Sequence, residues 1–115
     1  MSYTLKITVY NNRDYEQPFT LQNEDLSPLD LTNCSLSFGY GTEQKTIATH
    51  TSGTGGNKCI DIYDAVGGGF NLILPYVVLK GIAAGNYIHD LILTDADGHR
   101  IGIWNGTMVV KRGVS

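Results

Sequence analysis

The sequence has no run of basic residues. Its eight lysines and arginines lie scattered from Lys6 to Arg112 among eleven acidic residues, for a formal net charge of −3, so the stripe of positive potential that nucleic-acid binding requires is missing. Long apolar runs are missing too. Even the segment 70–82 is broken by Asn71, Pro75, Lys80 and Gly81 and cannot supply the roughly 18 uninterrupted apolar residues of a transmembrane helix. The opening Met1-Ser2-Tyr3-Thr4-Leu5-Lys6 lacks the basic stretch and apolar core of an export signal. Cysteine is scarce: only Cys34 and Cys59 occur, and in a chain made in a reducing cytoplasm both are expected to stay thiols. The expectation is a protein with no nucleic-acid partner and no place in a membrane.

Motifs that carry chemistry are absent as well. There is no Gly-x-Ser-x-Gly elbow, and Gly67-Gly68-Gly69 is too short and wrongly placed to cradle a phosphate. His50, His89 and His99 stand too far apart for a zinc site. His89 shares a strand face with Tyr87, Leu91 and Leu93, which reads as a core-edge histidine. Asp95-Ala96-Asp97-Gly98 opens like a calcium loop, but the twelfth position, where a bidentate Glu is needed, is Gly106. Asp61 and Asp64 could join a metal site only if the glycine-rich loop folded over them. The expectation is therefore no enzyme, with no catalytic residue, no metal and no cofactor.

What the sequence has in abundance is alternation. From Gly85 to Val110 it spells a β-hairpin: Tyr87, His89, Leu91 and Leu93 alternate with Ile88, Asp90, Ile92 and Thr94, Asp97-Gly98 turns the chain, and Ile101 and Ile103 resume the pattern. The same period of two runs through Leu5, Ile7 and Val9, through Leu36, Phe38 and Tyr40, and through Phe70, Leu72 and Leu74. Further strands are predicted over Asp14–Gln22, Thr46–Ser52 and Cys59–Tyr63. Pro18 pushes the first of these to a sheet edge. Asn23–Asn33 reads as a loop, Gly53–Asn57 as a flexible tip, and Pro75–Ile82 holds one helical turn. A bulge at Asn105-Gly106 is predicted inside one long terminal strand. About seven or eight short strands, with turn signals every 8–12 residues or so, fit a two-sheet sandwich. At 115 residues the chain is one domain, 1–115.

Trp104 raises the question of a contact site, because exposed aromatics on a small sandwich stack on sugar rings or anchor a protein partner. It is out of phase with Ile101 and Ile103, which turns it outward unless the bulge swings it back into the core. Read outward, Trp104 is the candidate partner-binding residue.

Gly85-Asn86-Tyr87, then Asp90 to Gly98, then Gly106 to Val110 and the Gly113-Val114-Ser115 tail resemble a group of small virion proteins of tailed phages and prophages. In these, as here from Leu72 to Pro75, a Leu-x-Leu-Pro segment and a small-residue loop precede the hairpin. Pro28-Leu29-Asp30-Leu31-Thr32 and the strand Leu36 to Tyr40 are similar to the N-terminal Ig-like domains of phage upper baseplate proteins. The chain departs from them in length, ending after one sandwich without a fibre or receptor-binding extension. The resemblance implies an all-β fold, an Ig-like antiparallel β-sandwich, and no catalytic residue. It also implies a structural role in the virion after synthesis in the host cytoplasm: capsid decoration, collar or tail/baseplate attachment, bound to other phage virion proteins in multiple symmetric copies. The rival expectation is a carbohydrate-binding module that uses Trp104 and exposed tyrosines.

Overall fold

In a computed structural model, which describes residues 3–52 and 59–114, the alternating segments become nine strand segments and one helical turn. They are β1 (Tyr3–Thr4), β2 (Ile7–Tyr10), β3 (Tyr15–Thr20), β4 (Ser35–Gly41), β5 (Thr46–Thr51), β6 (Ile60–Asp64), β7 (Gly69–Leu74), α1 (Tyr76–Leu79), β8 (Gly85–Thr94) and β9 (Arg100–Lys111). The tip expected at Gly53–Asn57 lies outside the described residues. One sheet runs β1-β9-β8-β4-β5, with β2 also on β9; the other runs β3-β7-β6. The first strand pairs parallel to the last, and every other pairing is antiparallel. In the lettering of immunoglobulin domains these sheets are A′GFCC′ and BED. The fold is an Ig-like β-sandwich.

Alternation decides which side chains meet between the sheets. Leu36, Phe38, Tyr40, His89, Leu91, Leu93, Trp104, Met108 and Val110 face Phe70, Leu72 and Leu74, all buried. Pro18 costs little because β3 is an edge strand, with Pro18 opposite Asn71 and no further strand beyond it. Where β8 begins, the Tyr87 hydroxyl donates to the Ala83 carbonyl at 2.6 Å. This is the tyrosine corner of immunoglobulin domains, and His89 sits two residues later where those domains place a cysteine. An aromatic cluster occupies the place of the inter-sheet disulfide. Phe19 and Phe70 from one sheet meet Trp104 at 4.8 and 6.1 Å, and His89 lies 5.6 Å from Phe38.

Three details depart from the sequence reading. The bulge falls at Ile103, not at Asn105-Gly106: Leu91 opposes Trp104 while Ile92 opposes Gly102, so one extra residue shifts the phase and turns Ile103 and Trp104 inward together. The predicted first strand is broken at Leu5-Lys6, although β1 and β2 keep one register along β9. At the break the Leu5 carbonyl passes directly over Gly106, where a Cβ would lie 1.9 Å from the Leu5 oxygen.

The hairpin turn is also one residue longer than Asp97-Gly98 alone suggests. Asp95 and His99 close it through Asp95 N–H to His99 O at 3.0 Å, and Gly98 N–H bonds Asp95 O at 3.0 Å. This is a three-residue loop with Gly98 in the left-handed region, φ 86°. Gly98→Val is expected to cost about 1–3 kcal/mol, because a β-branched residue is strained there. Urea unfolding that leaves the midpoint unchanged would contradict this turn geometry.

Candidate functional site

Trp104 is not an exposed anchor. It is 1 % exposed, among Phe19, Phe70 and His89, so the outward reading is overturned by the bulge at Ile103. The large aromatics exposed among the described residues, Tyr10, Tyr63 and Tyr76, lie on β2, β6 and α1 respectively.

The other residues singled out in the sequence separate cleanly. Asp95, Asp97 and His99 do converge, their ligand atoms within 4.8 Å of one another, but they build the hairpin turn. Asp95 Oδ1 accepts from the amides of Asp97 at 3.0 Å and His99 at 2.9 Å, and Oδ2 faces His99 Nδ1 at 3.2 Å. Asp64 Oδ1 likewise accepts from Gly67 N–H at 3.1 Å, which holds a turn. Cys34 and Cys59 are free. Burial pushes both thiols up from their ordinary range, away from the thiolate a nucleophile needs. His50 meets the Tyr40 hydroxyl at 3.2 Å, and burial raises that phenol to about 12.

His89 is a structural pin. A carbonyl can only accept, so its Nε2 carries the hydrogen that reaches the Leu5 oxygen at 2.8 Å, across the gap where β1 and β2 leave the ladder. Nδ1 has no hydrogen bond; the Thr107 peptide favours the charged ring without reaching bonding geometry. Burial holds the imidazole below its ordinary range, opposed by the Leu5 peptide, Asp90 and the Thr107 peptide. His50 is lowered by burial too. A histidine depressed in the folded state binds its proton more readily unfolded, so this stability is present above about pH 6.5 and is lost as pH falls toward the folded value. Urea midpoints should drop as the pH falls below about 6.5. His89→Gln, which can still donate to Leu5 but cannot charge, should flatten part of that drop; an unchanged profile would show that His89 does not titrate.

The most distinctive surface is one the sequence did not flag, the loop between β3 and β4. Leu21 N–H bonds Gly68 O at 2.9 Å, Leu29 N–H bonds Leu21 O at 3.0 Å and Leu31 N–H bonds Ala65 O at 2.7 Å, tying the loop to the β6–β7 turn. Its tip closes on itself. Asn23 N–H reaches Ser27 O at 2.8 Å, Leu26 N–H reaches Asn23 O at 2.9 Å, the Asn23 amide donates to Ser27 Oγ and the Pro28 carbonyl, and Asp25 caps Ser27. This network holds Leu26 at φ 70°, a left-handed conformation costing on the order of 1 kcal/mol or more for a branched apolar residue, with its side chain 73 % exposed.

Leu26 stands at the mouth of a cleft of about 500 Å³ that Leu29, Leu93, Ile101 and Ile103 help line. Asp25, Asp30 and Asp95 around this end are held below the ordinary carboxylate range, chiefly by the Ser27 hydroxyl, the Thr32 hydroxyl and the His99 amide respectively, so they are charged at neutral pH. The signal in the sequence was Leu26 set between Asp25 and Ser27 at the polar tip of the loop. A second hollow, about 610 Å³ on the outer face of the larger sheet, is wide and mixed in character, with Ser37, Thr49, Asp90 and Asn105 beside Ile88 and Ile92.

No known protein family and no curated protein sequence matches the chain. Among solved structures, Drosophila OTK extracellular domains 3-5 are similar at 13% sequence identity and a TM-score of 0.32, over 96% of this chain and 33% of that one. The chain spans about a third of the length of that structure. The Ig-like assignment rests on the strand order and pairing described above.

Proposed function

We propose that this protein is a non-enzymatic attachment module of a tailed-phage particle, carried in multiple copies as a decoration, collar or tail/baseplate part and holding a protein partner at the cleft end. The virion setting comes from the resemblance of the hairpin segment. The observation that carries the attachment reading is Leu26: a large apolar side chain held outward in a strained conformation, beside an apolar cleft, is a cost to the isolated domain that a protein contact offsets. Burying such a side chain contributes about 1.5–3 kcal/mol, and repetition on a symmetric particle multiplies a weak contact through effective concentration. The carbohydrate-binding reading loses its principal residue with Trp104 in the core.

The test is Leu26→Gly. Glycine takes φ 70° without strain, so the unfolding midpoint should hold or rise while incorporation into purified particles falls. Wild-type incorporation by the variant would remove the cleft end from the attachment surface, and tight binding to a glycan array would overturn the protein-partner reading.

A further inference from the structure

The two ends of the sandwich are opposite in charge, and one of them holds the apolar cleft. Glu24 lines the cleft, and the strand order brings Asp25 and Asp30 of the β3–β4 loop, Asp64 at the end of β6 and Asp95 and Asp97 of the hairpin turn to the same end, with Arg100 the cation nearest in sequence to that turn. The pairings of Gly41 with Ile88 and of Gly85 with Val110 gather the β4–β5 turn, the start of β8 and the end of β9 at the opposite end. The Asn11 side chain joins them through Ile82 O at 3.1 Å. Arg13, Lys45, Lys80, Lys111 and Arg112 lie here. Of the acids interleaved with them, Asp14, Glu16 and Glu43, Asp14 is engaged by the Tyr76 amide at 2.6 Å.

This basic end is not flat. Tyr76 and Val77 of α1 are 48 % and 57 % exposed, and Lys80 Nζ sits 5.9 Å from the Tyr76 ring. Arg13 lies over Tyr10 at 4.3 Å. An apolar knob at the end where cations outnumber acids thus matches in charge an apolar cleft at the end where carboxylates gather.

We infer that copies of this chain associate head to tail, the α1 end of one seated in the Leu26 cleft of the next. The inference rests on the attachment reading and names a second copy as the occupant of that cleft. Such a contact is heterologous and repeats without closing unless a rotation closes it, giving a column or ring. The molecule measures 41 × 27 × 24 Å, and an end-on contact across the narrow section buries on the order of 1,000 Å² in total, the low end for specific interfaces. Association is therefore weak in free solution and firm only where a particle concentrates the copies. The opposite charges of the two ends steer the approach, so it weakens as salt screens them.

Sedimentation velocity from about 10 µM to 1 mM should show concentration-dependent, elongated oligomers that weaken about tenfold or more between roughly 0.05 M and 0.5 M salt. Leu26→Gly kills the cleft in every copy, and the double variant Val77→Ser, Lys80→Glu kills the knob in every copy. Each should be monomeric alone, and their equal mixture should form a heterodimer and nothing larger. A wild type that stays monomeric across that range at low salt overturns the inference. So does self-association that survives Val77→Ser, Lys80→Glu but not Leu26→Gly, because that pattern marks a symmetric dimer through the cleft. In either case loss of particle incorporation by Leu26→Gly would leave the attachment reading standing with a different partner. Full incorporation by Leu26→Gly would defeat that reading whatever the sedimentation shows. No variant should have an unfolding midpoint below the wild type, since the three positions are exposed.

Discussion

Gly106→Val should cost this domain a large share of its stability. A Cβ at position 106 would stand 1.9 Å from the Leu5 oxygen, 2.8 Å from its carbonyl carbon and 3.0 Å from its nitrogen. All three are backbone atoms, so no side-chain rotation relieves the clash. The first strand would have to lift from β9, losing the Leu5 amide bond to Asn105 O at 2.8 Å and the bond from His89. His89 would then be buried with neither ring nitrogen bonded, and an unmet buried polar group costs about 1–3 kcal/mol by itself. Overpacking adds about 1–3 kcal/mol more, and a domain of this size holds only about 5–15 kcal/mol in all. Urea unfolding should show a loss on the order of 3 kcal/mol or more, and hydrogen exchange should localise the damage to residues 3–10 and 105–111. An unfolding curve superimposable on wild type would mean that the first strand does not cross at Gly106.

Trp104→Ala should be comparably severe, at about 3–5 kcal/mol, the usual range for emptying an indole-sized site in a close-packed core. The ring is shared between the sheets, touching Phe19 and Phe70 of one and packing near His89 of the other, so its loss opens a void where a disulfide would otherwise join the layers. Trp104→Phe keeps part of the volume and should recover a large part of the loss. A Trp104→Ala protein that melts like wild type but fails to enter particles would restore the exposed-anchor reading against its present place in the core.

The strands were legible because a period of two survives in nearly every one of them, and Pro18 on an edge and Gly98 in a left-handed turn follow from backbone chemistry alone. The phase of Trp104 was not legible. It depends on a single extra residue at Ile103, and a bulge moves the phase without altering the local pattern that would reveal it. Gly106 read as a bulge glycine because what forbids its side chain is a strand a hundred residues away in sequence. The cleft was hidden for a similar reason: Leu26 is made significant by a loop conformation that polar neighbours impose, and Leu93 and Ile101 reach it from another sheet. The eight cations looked scattered along the chain because the turns that collect five of them at one end come from distant segments.

The parallel seating of the first strand on β9 also decides how the domain carries a load. Tyr3 lies beside Trp104 and Tyr10 beside Lys111, so tension between residue 3 and residue 111 drags the two strands along their length in opposite senses. The pairs from Ile7–Met108 to Tyr10–Lys111 then strain together in shear instead of opening one after another from an end, and the His89 bond to Leu5 adds a crosspiece behind them. Loaded between those two residues, the domain resists as a clamp that yields through its own unfolding barrier rather than through its equilibrium stability.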